Sequence, residues 1–285
     1  MAPSSHLAGI IPIASKPTGY KLPWDDCLIP LAPDYLAIDN AIFQAAMAGC
    51  ETIWVVANLE TVPLVRKRVG DYIYDPVTIG SNKYAVAPDK YRQMCSVYYI
   101  PIPESEDYKS LCLPWSIVKG ATVATEVSMQ ISKWTAPDKF YVSFPYGIFD
   151  AKELRDNRQE IASNKRFVIA HEGKTAADNL HLGFTFDQED LAGFVDTFKT
   201  IENGLSIDLE NQLEHFTTKV DLDTLFQSRN SQDQFEFEPT WFRQIDSWAA
   251  YRDFLGDPIT AKVKSPGKIY IHYSEWNPIA EDNDE

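Results

Sequence analysis

The chain is poor in the groups that hold metals or staple small folds. Its four cysteines, Cys27, Cys50, Cys95 and Cys112, lie far apart with no C-x-x-C pair, and its five histidines form no H-x-x-x-H. Neither a zinc site nor a disulfide framework is signalled, so reduced, buried thiols are expected. Long apolar runs are missing too. No stretch reaches the roughly 18 apolar residues of a membrane-spanning helix, and Met1-Ala2-Pro3-Ser4-Ser5-His6 is not a basic region followed by a long apolar one. A soluble, cytoplasmic protein is the expectation. Basic residues are in deficit: 26 Lys and Arg against 41 Asp and Glu give a net charge of −15. Such a surface repels phosphate backbones and argues against a nucleic-acid partner, although a small anion can still be held locally. No internal repeat is visible, which removes solenoids and propellers.

What the sequence does have is an apolar core in alternating strand and helix patterns. With 45% hydrophobic and 13% aromatic residues over 285 positions, a substantial core is within reach. Leu7 to Ala14 is an apolar run of strand length, with Pro12 tolerable only where its missing N–H is not needed by a neighbour. Asp34 to Gly49 reads as a helix: Asp34 or Asp39 can cap it, Leu36, Ile38, Ile42, Phe43, Ala46 and Met47 form its apolar stripe, and Gly49 closes it. Thr52 to Ala57 is a second apolar strand, which completes a βαβ unit with parallel pairing. Glu60 to Gly70 continues as a helix with Arg66, Lys67 and Arg68 on a solvated face.

Beyond that unit, Asp71 to Lys90 reads as a hairpin or insertion, and Met94 to Pro101 as a strand. A long amphipathic helix follows from Trp115 to Trp134, then a buried strand from Asp138 to Phe144 that Pro145-Tyr146-Gly147 breaks. Helix patterns recur at Ala151 to Ser163, Asp187 to Glu202, Leu205 to Phe216 and Ser247 to Leu255. Strands are expected at Arg166 to His171 and Leu180 to Phe186, joined by the turn Glu172-Gly173-Lys174, and at Lys268 to Tyr273. The pattern predicts one α/β domain over residues 1–275, with a possible insertion at 71–93 and an acidic, solvating tail at 276–285. Its sheet is expected to be Rossmann-like and mixed, mainly parallel, and flanked by helices.

The order of these pieces resembles the sugar-phosphate nucleotidyltransferases, the pyrophosphorylases of GT-A-like fold. Ala14-Ser15-Lys16-Pro17-Thr18-Gly19-Tyr20-Lys21-Leu22-Pro23 stands where that family has its G-x-G-T-R loop, and Asp25-Asp26-Cys27-Leu28-Ile29-Pro30-Leu31 where it has P-K-x-L-L-P-V. Gly120-Ala121-Thr122-Val123-Ala124 is similar to the G-T-A segment beside the base, and Phe144 to Phe149 to the strand end L-G-D-N-I-F. His181 to Asp187 resembles T-G-x-Y-x-F on the sugar side, and Ile245 to Tyr251 the closing I-D-T-P-E-D-Y. The resemblance spans about residues 8 to 255, and its weight rests on order and spacing, not on any single piece.

The resemblance implies transfer of a nucleotidyl group from a nucleoside triphosphate to a sugar 1-phosphate, with release of pyrophosphate and with Mg²⁺ as cofactor. Such chemistry depends on positioning and charge neutralisation. It implies Lys21 as the catalytic cation, nucleotide contacts from Ala14, Ser15, Lys16, Thr18, Gly19, Gly120 and Ala121, a metal contact from Asp246, with Asp150, one turn beyond Tyr146, as a substitute second metal ligand, and substrate contacts from Tyr146 and Gly183. Departures from the pattern point the other way. Pro17 removes a backbone donor from the loop, Asp26 puts a negative charge where the family has a lysine, and neutral Tyr146 stands at the metal aspartate. The alternative is a catalytically degenerate member acting as a ligand-binding, regulatory or assembly subunit, with a homo-oligomer or protein partner.

Several of these residues also have plain structural readings. Lys16 and Lys21 can be solvated loop lysines, Asp26 a helix-capping acid, and Asp246 the N-cap of the last helix. Trp241, Phe242 and Trp248 can be core or a stacking platform, and His171 and His181 face each other if their strands form a hairpin. Asp221-Leu222-Asp223 has the letters of a glycosyltransferase D-x-D motif but opens a helix pattern.

Overall fold

The computed structural model describes residues 6–14, 20, 22, 24–79, 94–106, 109, 112–131, 136–203, 221–227, 233–266 and 270–271. Its strands are β1 (Leu7–Pro12), β2 (Pro30–Ala32), β3 (Tyr35–Leu36), β4 (Thr52–Asn58), β5 (Tyr72–Tyr74), β6 (Met94–Ile102), β7 (Lys139–Val142), β8 (Gly147–Ile148), β9 (Arg166–Ile169), β10 (Phe184–Asp187), β11 (Gln234–Phe237), β12 (Arg243–Gln244) and β13 (Tyr270–Ile271). Its helices are α1 (Ala37–Ala48), α2 (Thr61–Val69), α3 (Pro76–Ile79), α4 (Leu113–Ile131), α5 (Lys152–Asp156), α6 (Arg158–Ala162), α7 (Gln188–Asn203), α8 (Leu222–Gln227) and α9 (Trp248–Gly256).

Nine strands form one sheet in the order β11-β9-β10-β7-β1-β4-β6-β5-β13. Its centre, β7-β1-β4-β6, is parallel, and antiparallel pairs join β10 to β7 and β9, β5 to β6, and β13 to β5. The expected mixed sheet with a parallel centre is what forms. Buried on both faces, β1 and β4 are nearly all apolar, as a central parallel strand must be. Pro12 fits because its nitrogen lies on the β7 side beyond the last β1–β7 pair, Ile10 with Val142, while the N–H of Ile13 reaches the Val56 carbonyl on the other side. Helices cover both faces: α1 packs with Ile11, Val55 and Phe167 on one, α4 and α7 with Ile10, Val56 and Phe140 on the other.

Local details differ from the sequence reading in instructive ways. Helix α1 starts after Leu36, whose N–H is accepted by Asp39 at 2.9 Å, and ends at Gly49 with φ 96°, the left-handed region where glycine carries no Cβ penalty. Asp34 sits outside the helix, in the turn between β2 and β3, with φ 54°. The long helix expected over Ala151 to Ser163 is two short ones meeting at Asn157. Ser247, not Asp246, caps α9, its hydroxyl accepting from the Ala250 N–H. Asp221 accepts from the N–H of Thr224, so the Asp221-Leu222-Asp223 triplet is a helix cap. The expected helix from Leu205 to Phe216 and most of the 71–93 insertion lie outside the described residues. No helix among the described residues is long and apolar enough to cross a membrane.

Candidate functional site

The chain runs from β1 outward through β4 to β6, then returns to β7 on the other side of β1. In an open α/β sheet the crevice at such a reversal, outside the carboxyl ends of the strands, is where ligands bind. Ala14 and Asn58 stand on one side of it and the loop from Ser143 to Gly147 on the other. Asn58 ends β4; its Nδ2 donates to the Ala14 carbonyl at 3.3 Å, and its Oδ1 is buried with no hydrogen-bond partner among the described residues. Ser15, Lys16, Pro17, Thr18, Gly19 and Lys21 lie outside the described residues.

The loop after β7 is held by a polar belt inside the core. Asn40 and Gln44, one turn apart on α1, both donate to the Gly147 carbonyl, at 3.2 and 2.8 Å, and the Ser143 hydroxyl donates to the Ala41 carbonyl at 3.0 Å. All three side chains are buried. Fixed in this way, the loop presents Tyr146 into an aromatic and aliphatic cluster with Tyr20, Ile29, Tyr35, Ile245 and Tyr251. Tyr146 is 5% exposed, and burial, then Cys27 and Asp26, push its phenol well above the ordinary tyrosine range, so it stays neutral. Tyr20 donates its hydroxyl to the Ile245 carbonyl and lies 6.2 Å, edge to face, from Tyr251. Its phenol is likewise raised by burial first, then by Asp26 and Asp246, which places Tyr20 in the field of both carboxylates.

On the opposite wall, His181 packs 5.5 Å from the Tyr146 ring and 5.4 Å from Phe144. Burial lowers its pKa to about 4 against the pull of Asp246, so the ring is neutral at pH 7, and its Nδ1 is buried without a partner among the described residues. Gln244 ties this wall together: its Oε1 accepts from the His181 N–H at 3.0 Å and its Nε2 donates to Asp246 at 2.6 Å. The ring of His171 lies against Phe242 at 5.4 Å.

The remaining expected residues are placed elsewhere. Asp150 accepts from the Lys152 N–H at 3.1 Å and acts on Tyr35, whereas Asp246 acts on Tyr20 and His181. Gly120 and Ala121 lie inside α4 against the sheet; a Cβ on Gly120 would stand 2.7 Å from Val56 and 2.9 Å from Ile10. The structure gives both residues a packing role against β1 and β4. Gly183 is also a close approach: a Cβ there would meet the Tyr141 hydroxyl at 2.4 Å. Phe242 is buried, Trp241 is half-buried and Trp248 is exposed.

Among the described residues no three His, Cys, Asp or Glu side chains gather as metal ligands. Asp246 is committed to Gln244, Asp150 acts on a different side chain, and the phenol of Tyr146 is a poor ligand for a hard cation. These residues do not fit a protein-held Mg²⁺. Asn58, Tyr20 and the Asn40–Gln44 pair were not singled out in the sequence; only a polar residue ending an apolar strand, and two amides on a helix's apolar face, hinted at them.

No protein-family model matches the sequence, and no curated protein matches it. Solved structures match its fold. A Bacillus anthracis protein assigned as a glucose-1-phosphate thymidylyltransferase, in complex with sucrose, superposes with a TM-score of 0.54 at 10% identity, covering 91% of this chain and 97% of that one. An apo UDP-glucose pyrophosphorylase gives 0.52 at 12% identity, with 90% and 100% covered. A UTP-bound UGPase from Acinetobacter baumannii gives 0.51 at 14%, with 90% and 96% covered. The chain has the fold of the sugar-phosphate nucleotidyltransferases.

Proposed function

We propose that the chain binds a nucleoside triphosphate or a sugar nucleotide in the crevice between the β1 loop and the β7 loop, and that it does so without nucleotidyl transfer. The carrying observation is Tyr146. A neutral, buried phenol fills the position at which the resemblance implies a metal carboxylate, and Asn40 and Gln44 fix the loop that holds it there. Asp26 beside it replaces a cation with an anion, so the developing charge of a transferring phosphoryl group meets repulsion. The nucleotide side is better furnished. Asn58 Oδ1, without a partner among the described residues, offers an acceptor for a donor such as a base N–H, and the sequence supplies positive charge at Lys16 and Lys21.

A second reading, a Mg²⁺-dependent nucleotidyltransferase that forms a sugar nucleotide from a sugar 1-phosphate, draws on one observation: Asp26 and Asp246 both act on Tyr20. One pair of measurements separates the two. Titration of the full chain with UTP and with UDP-glucose is expected to give saturable binding that Lys16→Ala and Asn58→Ala weaken. A pyrophosphate-release assay with UTP, glucose 1-phosphate and Mg²⁺ is expected to stay at background. Turnover abolished by Asp246→Ala establishes the second reading, and absence of any nucleotide binding defeats both.

A further inference from the structure

Beyond α4 the sheet presents an apolar face where a water-facing one is normally polar. Side chains alternate along β5 and β6. Ile73, Cys95 and Val97 point into the core with Val65 and Val69 of α2, and Tyr72, Tyr74, Met94, Ser96 and Tyr98 share the opposite face. The antiparallel margin of a sheet that has one side in water carries polar residues on that side. Here the side holds three tyrosines and a methionine, and no charge.

Helix α4 packs on β1 and β4, and its cover reaches β6 only in the strand's second half, where Ile100 and Ile102 are buried with Trp115. Nearer the start of the strand Tyr98 stacks on Trp54, the ring centroids 4.3 Å apart. Trp54 is buried beneath it, whereas Tyr98 is 38% and Tyr72 44% exposed. Aromatic surface gathered in this way marks a contact face.

Register and composition together name the occupant. The outermost strand is β13, in which Ile271 pairs with Tyr72, which in turn pairs with Ser96. Beyond Ile271 the chain therefore continues from beside this face, two strand spacings, about 10 Å, from β6. Residues 272–279 include Tyr273, Trp276, Pro278 and Ile279 and a single charge, Glu275, whereas residues 280–285 include four acids. Pro278 cannot donate to a continuing ladder. Trp276 stands five residues past Ile271, a reach of up to about 17 Å, which is enough to cross β5 and meet Tyr98.

We propose that residues 273–279 of the same chain turn back across the face formed by Tyr72, Met94 and Tyr98, with Trp276 against the Tyr98 ring. The segment acts as an intrachain cover, which removes the aromatic patch from water and from other chains. The proposal does not depend on what the crevice binds.

The test is hydroxyl-radical footprinting of the full chain, read by peptide mass spectrometry. Trp276 is expected to label more slowly than Trp248, which is 53% exposed. Trp276→Ser alters no residue of the sheet and is expected to raise Tyr98 labelling by about threefold, as the loss of an aromatic partner uncovers the ring. Tyr98→Ser is expected to raise Trp276 labelling in the same way. The double variant is expected to melt no lower than Tyr98→Ser alone, because its second change removes a contact already lost. Tyr98 labelling unchanged by Trp276→Ser would overturn the assignment, and so would Trp276 labelling as fast as Trp248 in the parent. Protection of Tyr98 that fades on dilution would also overturn it, by placing a second copy on the face.

Discussion

Replacing Gly147 by alanine is the most severe single-methyl change the structure exposes near the crevice. A Cβ there would stand 1.7 Å from the His181 carbonyl oxygen and 2.9 Å from its carbon, both backbone atoms that no side-chain rotation can move. Relief requires shifting either the 143–148 loop or the 180–183 segment. The first breaks the bonds from Asn40 and Gln44 to the Gly147 carbonyl, leaving buried amides unmatched at about 1–3 kcal/mol each. The second loses the His181 N–H bond to Gln244 and disturbs the wall that holds Asp246. With two amides at the low end of that range and overpacking of about 1–3 kcal/mol, the expected loss is about 3 kcal/mol or more, a large share of a domain's usual ~5–15 kcal/mol. Urea unfolding followed by far-ultraviolet circular dichroism measures it, with Gly256→Ala as control. Gly256 ends α9 with nothing within 4 Å of a built Cβ, so its alanine variant is expected to stay within about 0.5 kcal/mol of the parent. Equal midpoints for the two variants would refute the close approach of Gly147 and His181, and with it the clamped placement of Tyr146.

Three further outcomes follow from buried polar groups. Tyr141 is fully buried and its hydroxyl has no partner among the described residues, so Tyr141→Phe is expected to leave stability unchanged or raise it by about 1 kcal/mol; a loss of that size in the same unfolding assay would reveal a hidden partner. Arg166 and Asp190 form a buried ion pair, and Arg166→Ala is expected to cost about 3–5 kcal/mol, with Arg166→Met/Asp190→Leu costing clearly less because no lone charge remains; equal losses would count against the pair. Lys139 is buried, donates to the carbonyls of Ile161, Ser163 and Lys165, and burial lowers its pKa from 10.5 to about 8. Between pH 8 and the unfolded value of 10.5 the unfolded chain binds more protons, so this lysine's cost is fully present below pH 8 and is relieved as pH rises, by at most ~1.4 kcal/mol per unit. Unfolding at pH 7.5 and 9.5 should show that slope in the parent and a difference from it in Lys139→Met; identical slopes would sink the linkage.

The sequence carried the parts of the fold that burial dictates. β1, α1, β4 and α4 could be found because a central parallel strand must be apolar throughout and a covering helix must show an apolar stripe. Gly49 was legible for the same reason, since a left-handed helix end selects glycine. Long-range polar contacts were not. Nothing near Asn40 or Gln44 in the chain announces that both reach the carbonyl of Gly147, more than a hundred residues away. Gly147 and Gly256 look alike in sequence, and only the neighbouring strand segment makes one irreplaceable. Gly120 shows the converse: its letters fit a ligand motif, whereas its environment is that of a helix pressed onto β1 and β4.

These placements separate what the scaffold requires from what the β7 loop carries. The belt of Asn40, Gln44 and Ser143 serves the scaffold, because it satisfies buried backbone groups where β7 ends, and losing any of it costs stability whatever the loop carries. The Tyr146 side chain fills space among Tyr20, Ile245 and Tyr251. A carboxylate at that point would now sit desolvated beside Asp26 and Asp25, so restoring it alone, as in Tyr146→Asp, places like charges together in an apolar cluster. Residue 146 and the sign of its surroundings are therefore coupled, and a carboxylate there requires a change at Asp25 or Asp26 as well.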